Sequence, residues 1–155
     1  TIMIKINVLS EEKSWSKRLK KSQDLFDNIS KNFPRSFRFP NKRVYLTLLL
    51  SNNKRIKNLN KKFRNKNKHT DILSFPFEKN KRNLKEIYLG DIVISYNYMN
   101  NPRNLNSKEF KKKTVKIFIH GFLHLLGYDH IKEKDYKQMF EMEQKVYRLI
   151  EKLLN

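Results

Sequence analysis

The sequence predicts a single domain in which strands and helices share one core. Four segments read as strands, by two-residue alternation or as short apolar, β-branched runs, and apolar residues at helical three- and four-residue spacing fill the stretches around them. A length of 155 residues suits one core and is short for two. No repeat, low-complexity block or linker divides the chain. The hydrophobic fraction, 38%, and the charged fraction, 32%, lie on the polar side of globular proteins. The periodicity nevertheless extends over most of the chain, which a disordered sequence would not show.

Ile2, Ile4, Ile6 and Val8 alternate with Met3, Lys5 and Asn7, so a first strand with one buried face is expected over 2–9. Ser10 is a candidate cap for one continuous helix with Glu11 and Glu12 in its first turn. Its stripe is Trp15, Leu19, Ser22, Phe26, Ile29 and Phe33, and Pro34 marks its end. RVYLTLLL, 43–50, reads as a buried central strand. Ser51 or Asn52 caps a short helix carrying Ile56, Leu59 and Phe63, and a basic loop, RNKNKHT, covers 64–70. DILSFPF, 71–77, is expected at a sheet edge, because Pro76 cannot donate a ladder hydrogen bond.

A polar connection over 79–86 leads to a fourth strand, YLGDIVIS, 88–95. The stretch 96–106 reads as a short helix ended near Pro102, followed by a loop. Ser107 is the candidate cap of the next helix. That helix is apolar almost all round from Val115 to Leu126, hence central and buried, and Gly127 suits its C′ position. A last helix from about Lys132 carries Tyr136, Met139, Phe140, Glu143, Val146, Ile150 and Leu153 at helical spacing.

Thirty-five Lys plus Arg against 15 Asp plus Glu leave a net charge of +20, the balance of proteins that hold phosphate backbones. A Lys-, Asn- and Ile-rich composition also follows from an A+T-rich genome, so charge alone names no function. Without cysteine, disulfides and thiolate metal sites are excluded, and any metal site must rely on histidine. The longest nearly apolar run, Val44 to Leu50, is too short to span a bilayer, and the opening TIMIKINVLS lacks the pattern of a signal peptide. A cytoplasmic protein is expected.

Three of the chain's four histidines fall in HGFLHLLGYDH, residues 120–130. His120 and His124, four apart on a helix, project from one face, and the reversal at Gly127 can return His130 to the same ion. Three neutral imidazoles suit Zn²⁺, one per chain, and leave a fourth position for water, the arrangement of catalytic rather than structural zinc. The spacing H-x-x-x-H-x-x-G-x-x-H is that of one large class of zinc peptidases, in which Glu follows the first His as general base. Here that residue is Gly121, which also suits close packing of a buried helix.

HGFLHLLGYDH resembles the signature H-G-x-L-H-L-x-G-Y-D-H of the YbeY endoribonucleases at every specified position. LNKKFRNKNKHTDILSFPFE, 59–78, resembles that family's second block, and LGDIVIS, 89–95, its third. The resemblance implies an α+β sandwich with a small mixed sheet and a core similar to zincins. It also implies zinc on His120, His124 and His130, and Arg64 as the functionally essential arginine. It implies a single-strand-specific endoribonuclease that acts in rRNA maturation, notably at the 3′ end of the small-subunit rRNA, and in ribosome quality control. The expected partners are then single-stranded RNA, the small ribosomal subunit and assembly factors, with no membrane. The sequence departs from the family at Asn65 and His69, where Gly and Pro are usual; Asn tolerates positive φ, whereas loss of Pro loosens the loop.

Within that reading Arg64 clamps phosphate, and Lys66 and Lys68 attract the RNA backbone. His69 is an extra histidine, read as a solvated loop residue or an RNA contact. Asp91 and Asp129 are candidates for orienting a ligand histidine, or for turn and capping roles. A peptidase would need a base near the metal that the sequence does not offer. A noncatalytic RNA-binding assembly factor with structural zinc is the main alternative.

Overall fold

The computed structural model describes residues 3–77 and 85–155. Ile2 of the expected first strand and most of the connection expected over 79–86 lie outside the described residues. Strands β1 (Lys5–Ser10), β2 (Arg43–Ser51), β3 (Ile72–Pro76) and β4 (Glu86–Ser95) form one sheet in the order β1-β2-β4-β3. β1, β2 and β4 are parallel, and β3 runs antiparallel to β4 at the edge. The sheet is therefore mixed, with RVYLTLLL central as its composition requires.

Two exchanges with β4 set how β3 faces: Ser95 N–H donates to Asp71 C=O and Phe77 N–H to Leu89 C=O. The odd-numbered residues of β3 thus turn their backbone groups to β4, and Ser74 and Pro76 turn theirs to the free edge. Pro76, with no N–H to offer, stands where none is needed.

Helices α1 (Ser14–Arg18), α2 (Ser22–Lys31), α5 (Ser107–Leu125) and α6 (Glu133–Ile150) contribute to the main core on one face of the sheet. Trp15, Phe26, Phe110, Phe118 and Phe122 are fully buried there with Leu46, Leu48, Ile92 and Ile94. On the other face lies α3 (Asn53–Arg64), whose Ile56 packs on Leu73 and Val93. The short α4 (Tyr96–Met99) follows β4, as the reading of 96–106 anticipates.

The single helix expected from Ser10 to Pro34 is instead two. Lys21 adopts φ 50°, and no glycine or proline marks the break. Long-range hydrogen bonds explain it. Trp15 Nε1 donates to Ser51 C=O (2.9 Å) and pins α1 over the end of β2. Gln23 satisfies the outer edge of β1, accepting from Val8 N–H (3.0 Å) and donating to Ile6 C=O (2.7 Å), while Ser30 Oγ donates to Ile4 C=O. One straight helix cannot make both attachments. Ser10 accordingly ends β1 and caps nothing, since the residue before α1 is Lys13.

The other caps follow side-chain reach. Asn52 accepts from Arg55 N–H (2.9 Å) at the start of α3. Asn106, not Ser107, caps α5 in a reciprocal box with Glu109, with bonds of 2.8 and 3.0 Å. Three residues expected on apolar stripes prove largely exposed: Phe63 (60%), Tyr136 (60%) and Phe140 (51%). Among the described residues no helix is long and apolar enough to cross a membrane.

Candidate metal centre

α5 carries His120 and His124 in its last turns. It ends in a reversal whose bonds are those of a Schellman motif, Tyr128 N–H to Leu123 C=O (3.0 Å) and Gly127 N–H to His124 C=O (3.0 Å). Gly127 has φ 100°, a conformation that costs a side-chain-bearing residue energy. The turn brings His130 back, so that one ring nitrogen from each of His120, His124 and His130 lies within 4.8 Å of the other two.

The partners of these rings decide which nitrogens face inward. Glu143 Oε1, from α6, lies 2.7 Å from His120 Nδ1, and the Tyr128 carbonyl lies 3.0 Å from His124 Nδ1. A carboxylate and a carbonyl only accept, so both Nδ1 atoms carry the proton and both Nε2 atoms present lone pairs. Those two Nε2 atoms stand 3.1 Å apart. Two lone pairs at that distance with no proton to share repel, unless a cation binds them both. Nitrogens on one tetrahedral zinc, at ~2.05 Å each, lie about 3.3 Å apart. The donor set therefore fits a metal ion. Burial, and next the charge of His120, hold the His124 pKa below its ordinary value, favouring the neutral form that ligates.

Gly121 answers for the missing peptidase base. A Cβ there would stand 2.6 Å from Ile72 Cδ1, 2.9 Å from Ser74 Oγ and 3.3 Å from Ile92 Cγ2. The position faces the sheet, and α5 lies on β3 and β4 only because no side chain intervenes.

The remaining sequence-derived residues divide. Arg64 ends α3; its Nη2 donates to the Ser74 carbonyl (2.7 Å) on the free edge of β3, and its guanidinium lies 5.3 Å from the centre of the Phe75 ring. Ser74 Oγ donates to Gly121 C=O (3.2 Å), so one residue ties Arg64 to the histidine helix. Asn65 takes the positive φ expected of it, 56°. Buried Asn60 holds the loop, its backbone carbonyl accepting from Lys66 N–H (3.2 Å) and its Nδ2 donating to Lys68 C=O (3.0 Å). Lys66 and Lys68 are exposed. His69 Nδ1 lies 2.9 Å from the Tyr98 hydroxyl, a contact the sequence did not suggest.

Neither aspartate is seen to hydrogen-bond a ligand ring. Asp91 belongs to the α3 face of the sheet, where the Tyr88 hydroxyl donates to it, and the histidine helix lies on the other face. The alternation of β4, interrupted around Gly90, sets that direction. Asp129 accepts from His130 N–H (2.7 Å), a turn role. The carboxylate that does meet a ligand is Glu143. Its sequence signal was an acid inside the stripe Met139, Val146 and Ile150.

Two histidines on a buried helix, a third from the turn after it, and a mixed sheet against that helix define an α+β protein with a zincin-like core, whose three histidines could hold a metal ion. Comparison with known proteins narrows this to one family. The family model described as endoribonuclease YbeY matches residues 7–151. A protein named endoribonuclease YbeY from Pelagibacter ubique (strain HTCC1062) is 60% identical over 148 residues, covering 96% of this chain and 97% of its own. One of the same name from Sulfurihydrogenibium sp. (strain YO3AOP1) is 37% identical over 67% of this chain and 68% of its own. The solution structure of TM1509 from Thermotoga maritima superposes with a TM-score of 0.56 at 28% identity, over 96% of this chain and 91% of the other. The chain belongs to the endoribonuclease YbeY family.

Proposed function

We propose that residues 1–155 act as one zinc-dependent endoribonuclease domain that cuts single-stranded RNA. Its place is in the cytoplasm, in maturation of the 3′ end of small-subunit rRNA and in ribosome quality control, alongside the small ribosomal subunit and its assembly factors. The carrying observation is a set of three convergent imidazoles with a sheet-packed glycine where a peptidase keeps its base. Peptide hydrolysis needs that base to activate water and protonate the amine, whereas phosphodiester cleavage chiefly needs stabilisation of negative charge on phosphate. When bound, the ion supplies Lewis acidity toward water and phosphate oxygen.

The chain's own residues do the rest. Glu143 and the Tyr128 carbonyl hold the rings of His120 and His124 in the ligating tautomer. Arg64 spends one N–H on Ser74 C=O and offers the rest of its planar fork to phosphate. Lys66 and Lys68 add attraction along the RNA backbone.

The test is turnover of single-stranded RNA by zinc-loaded protein, with His124→Ala as control and elemental analysis for the metal. Loss of turnover with loss of zinc supports the reading. Wild-type protein that binds RNA with zinc present but never cuts it would instead be a noncatalytic assembly factor. Arg64→Lys keeps the charge and loses the fork, so cleavage of saturating RNA should fall much more than affinity. Lys66→Ala should weaken binding and spare the single-turnover rate. An Arg64→Lys protein that cleaves saturating RNA at the wild-type rate refutes the catalytic role of Arg64.

A further inference from the structure

Among the described residues, the sheet face away from the histidines is only partly covered. α3 closes one end of it, leaving a groove of about 470 Å³ whose floor is Leu49, Leu59, Phe75 and Val93 and whose rim includes Leu9 and Phe63, exposed at 56% and 60%. Aromatic rings line this side. Tyr45 meets Tyr88 at 5.1 Å, Tyr88 meets Phe77 at 5.8 Å, and Phe63 meets Phe75 at 5.7 Å. The Arg64 guanidinium lies over the Phe75 ring of the last pair.

Charge accompanies the rings. α3 carries Lys54, Arg55, Lys57, Lys61, Lys62 and Arg64 and no acidic residue, so the helix that borders the groove complements a polyanion, with Arg55 alone of these lining the groove itself. Two carboxylates nearby are already engaged: Glu11 pairs with Arg55 (3.4 Å), and Asp91 accepts from Tyr88, which leaves Asp91 lone pairs for an exocyclic amine.

We propose that this face is a stacking platform for the unpaired bases of single-stranded RNA, with Phe63 its most accessible ring, delivering the strand over the edge of β3 to Arg64. The inference rests on the endoribonuclease reading and adds a base-binding subsite to it. Aromatic rings beside a basic track are how proteins hold single strands, because every base has a flat apolar face. A duplex buries those faces in its own stack, so a platform of this kind discriminates against paired RNA. Only β3 separates the two sides, since Ser74 meets Arg64 through its carbonyl and Gly121, beside His120, through its hydroxyl.

The experiment uses zinc-loaded protein of residues 1–155 and fluorescence anisotropy, read at low temperature before cleavage. The probes are a ten-nucleotide oligouridylate, an abasic strand of equal length, and an RNA duplex. Phe63→Ala should weaken oligouridylate binding by roughly tenfold, the scale of one lost base stack, and leave the abasic strand unchanged. Phe63→Tyr should restore wild-type affinity. Wild-type affinity in Phe63→Ala overturns the platform. Equal losses for the base-bearing and abasic strands also overturn it, since a charge effect then suffices. Wild-type protein that binds no RNA at all refutes the endoribonuclease reading itself, a result distinct from failure of the platform alone.

Discussion

Gly121→Ala tests whether the histidine helix is seated on the sheet as closely as the structure requires. In an open helix this change stabilises by ~1 kcal/mol, because Ala is the better helix former. Here the added Cβ would meet Ile72 Cδ1 at 2.6 Å and Ser74 Oγ at 2.9 Å, so both must move. Ile72 Cδ1 ends a flexible side chain and yields at modest cost, but Ser74 Oγ moves only by giving up its bond to Gly121 C=O. Overpacking of a tight interior costs ~1–3 kcal/mol, and the lost hydrogen bond ~0.5–1.5 kcal/mol. Set against the helix gain, the net is a destabilisation of about 2 kcal/mol. For a chain of this length that lowers Tm by roughly 4–8 °C. Urea unfolding and calorimetry of metal-free protein would measure it. A Gly121→Ala protein more stable than wild type would refute the reasoning, and with it the account of why no peptidase base stands there.

Glu143→Ala should weaken zinc binding by roughly 10–100-fold in a chelator competition, as loss of a partner orienting a ligand histidine does. Unchanged zinc affinity would mean that the contact with His120 positions nothing. In metal-free protein the His124 pKa is lowered in the folded state, so below the ordinary value of 6.5 the unfolded chain takes up the proton first. Stability should therefore hold above pH 6.5 and decline as pH falls below it, and His124→Gln should flatten that decline in denaturant titrations. Affinity for single-stranded RNA should fall steeply with salt, given +20 and basic clusters at 61–68 and 79–85. Binding that barely changes between low and moderate salt would make the basic excess an accident of composition.

What was legible in the sequence was local. His120 and His124 share a face because they are four apart on a helix, Gly127 reverses the chain because it tolerates φ 100°, and Pro76 keeps to an edge because it has no N–H. Each rests on neighbours along the chain, so the pattern suffices, and the four strands and the convergence of His120, His124 and His130 followed from such patterns.

Tertiary structure decided what depends on groups distant in sequence. The helix break near Lys21 comes from attachments of Trp15 to Ser51 and of Gln23 to β1, which no local pattern encodes. Glu143 reaches His120 from another helix, 23 residues on, and its role appears only once α6 packs on α5. The sequence offered Asp91 as a partner of a ligand histidine and did not offer Glu143; the direction of β4 sends Asp91 to the other face of the sheet. A side chain's identity states what it can bond; packing of the elements decides what it meets, because partners on separate elements are brought together only when the apolar faces between them are buried.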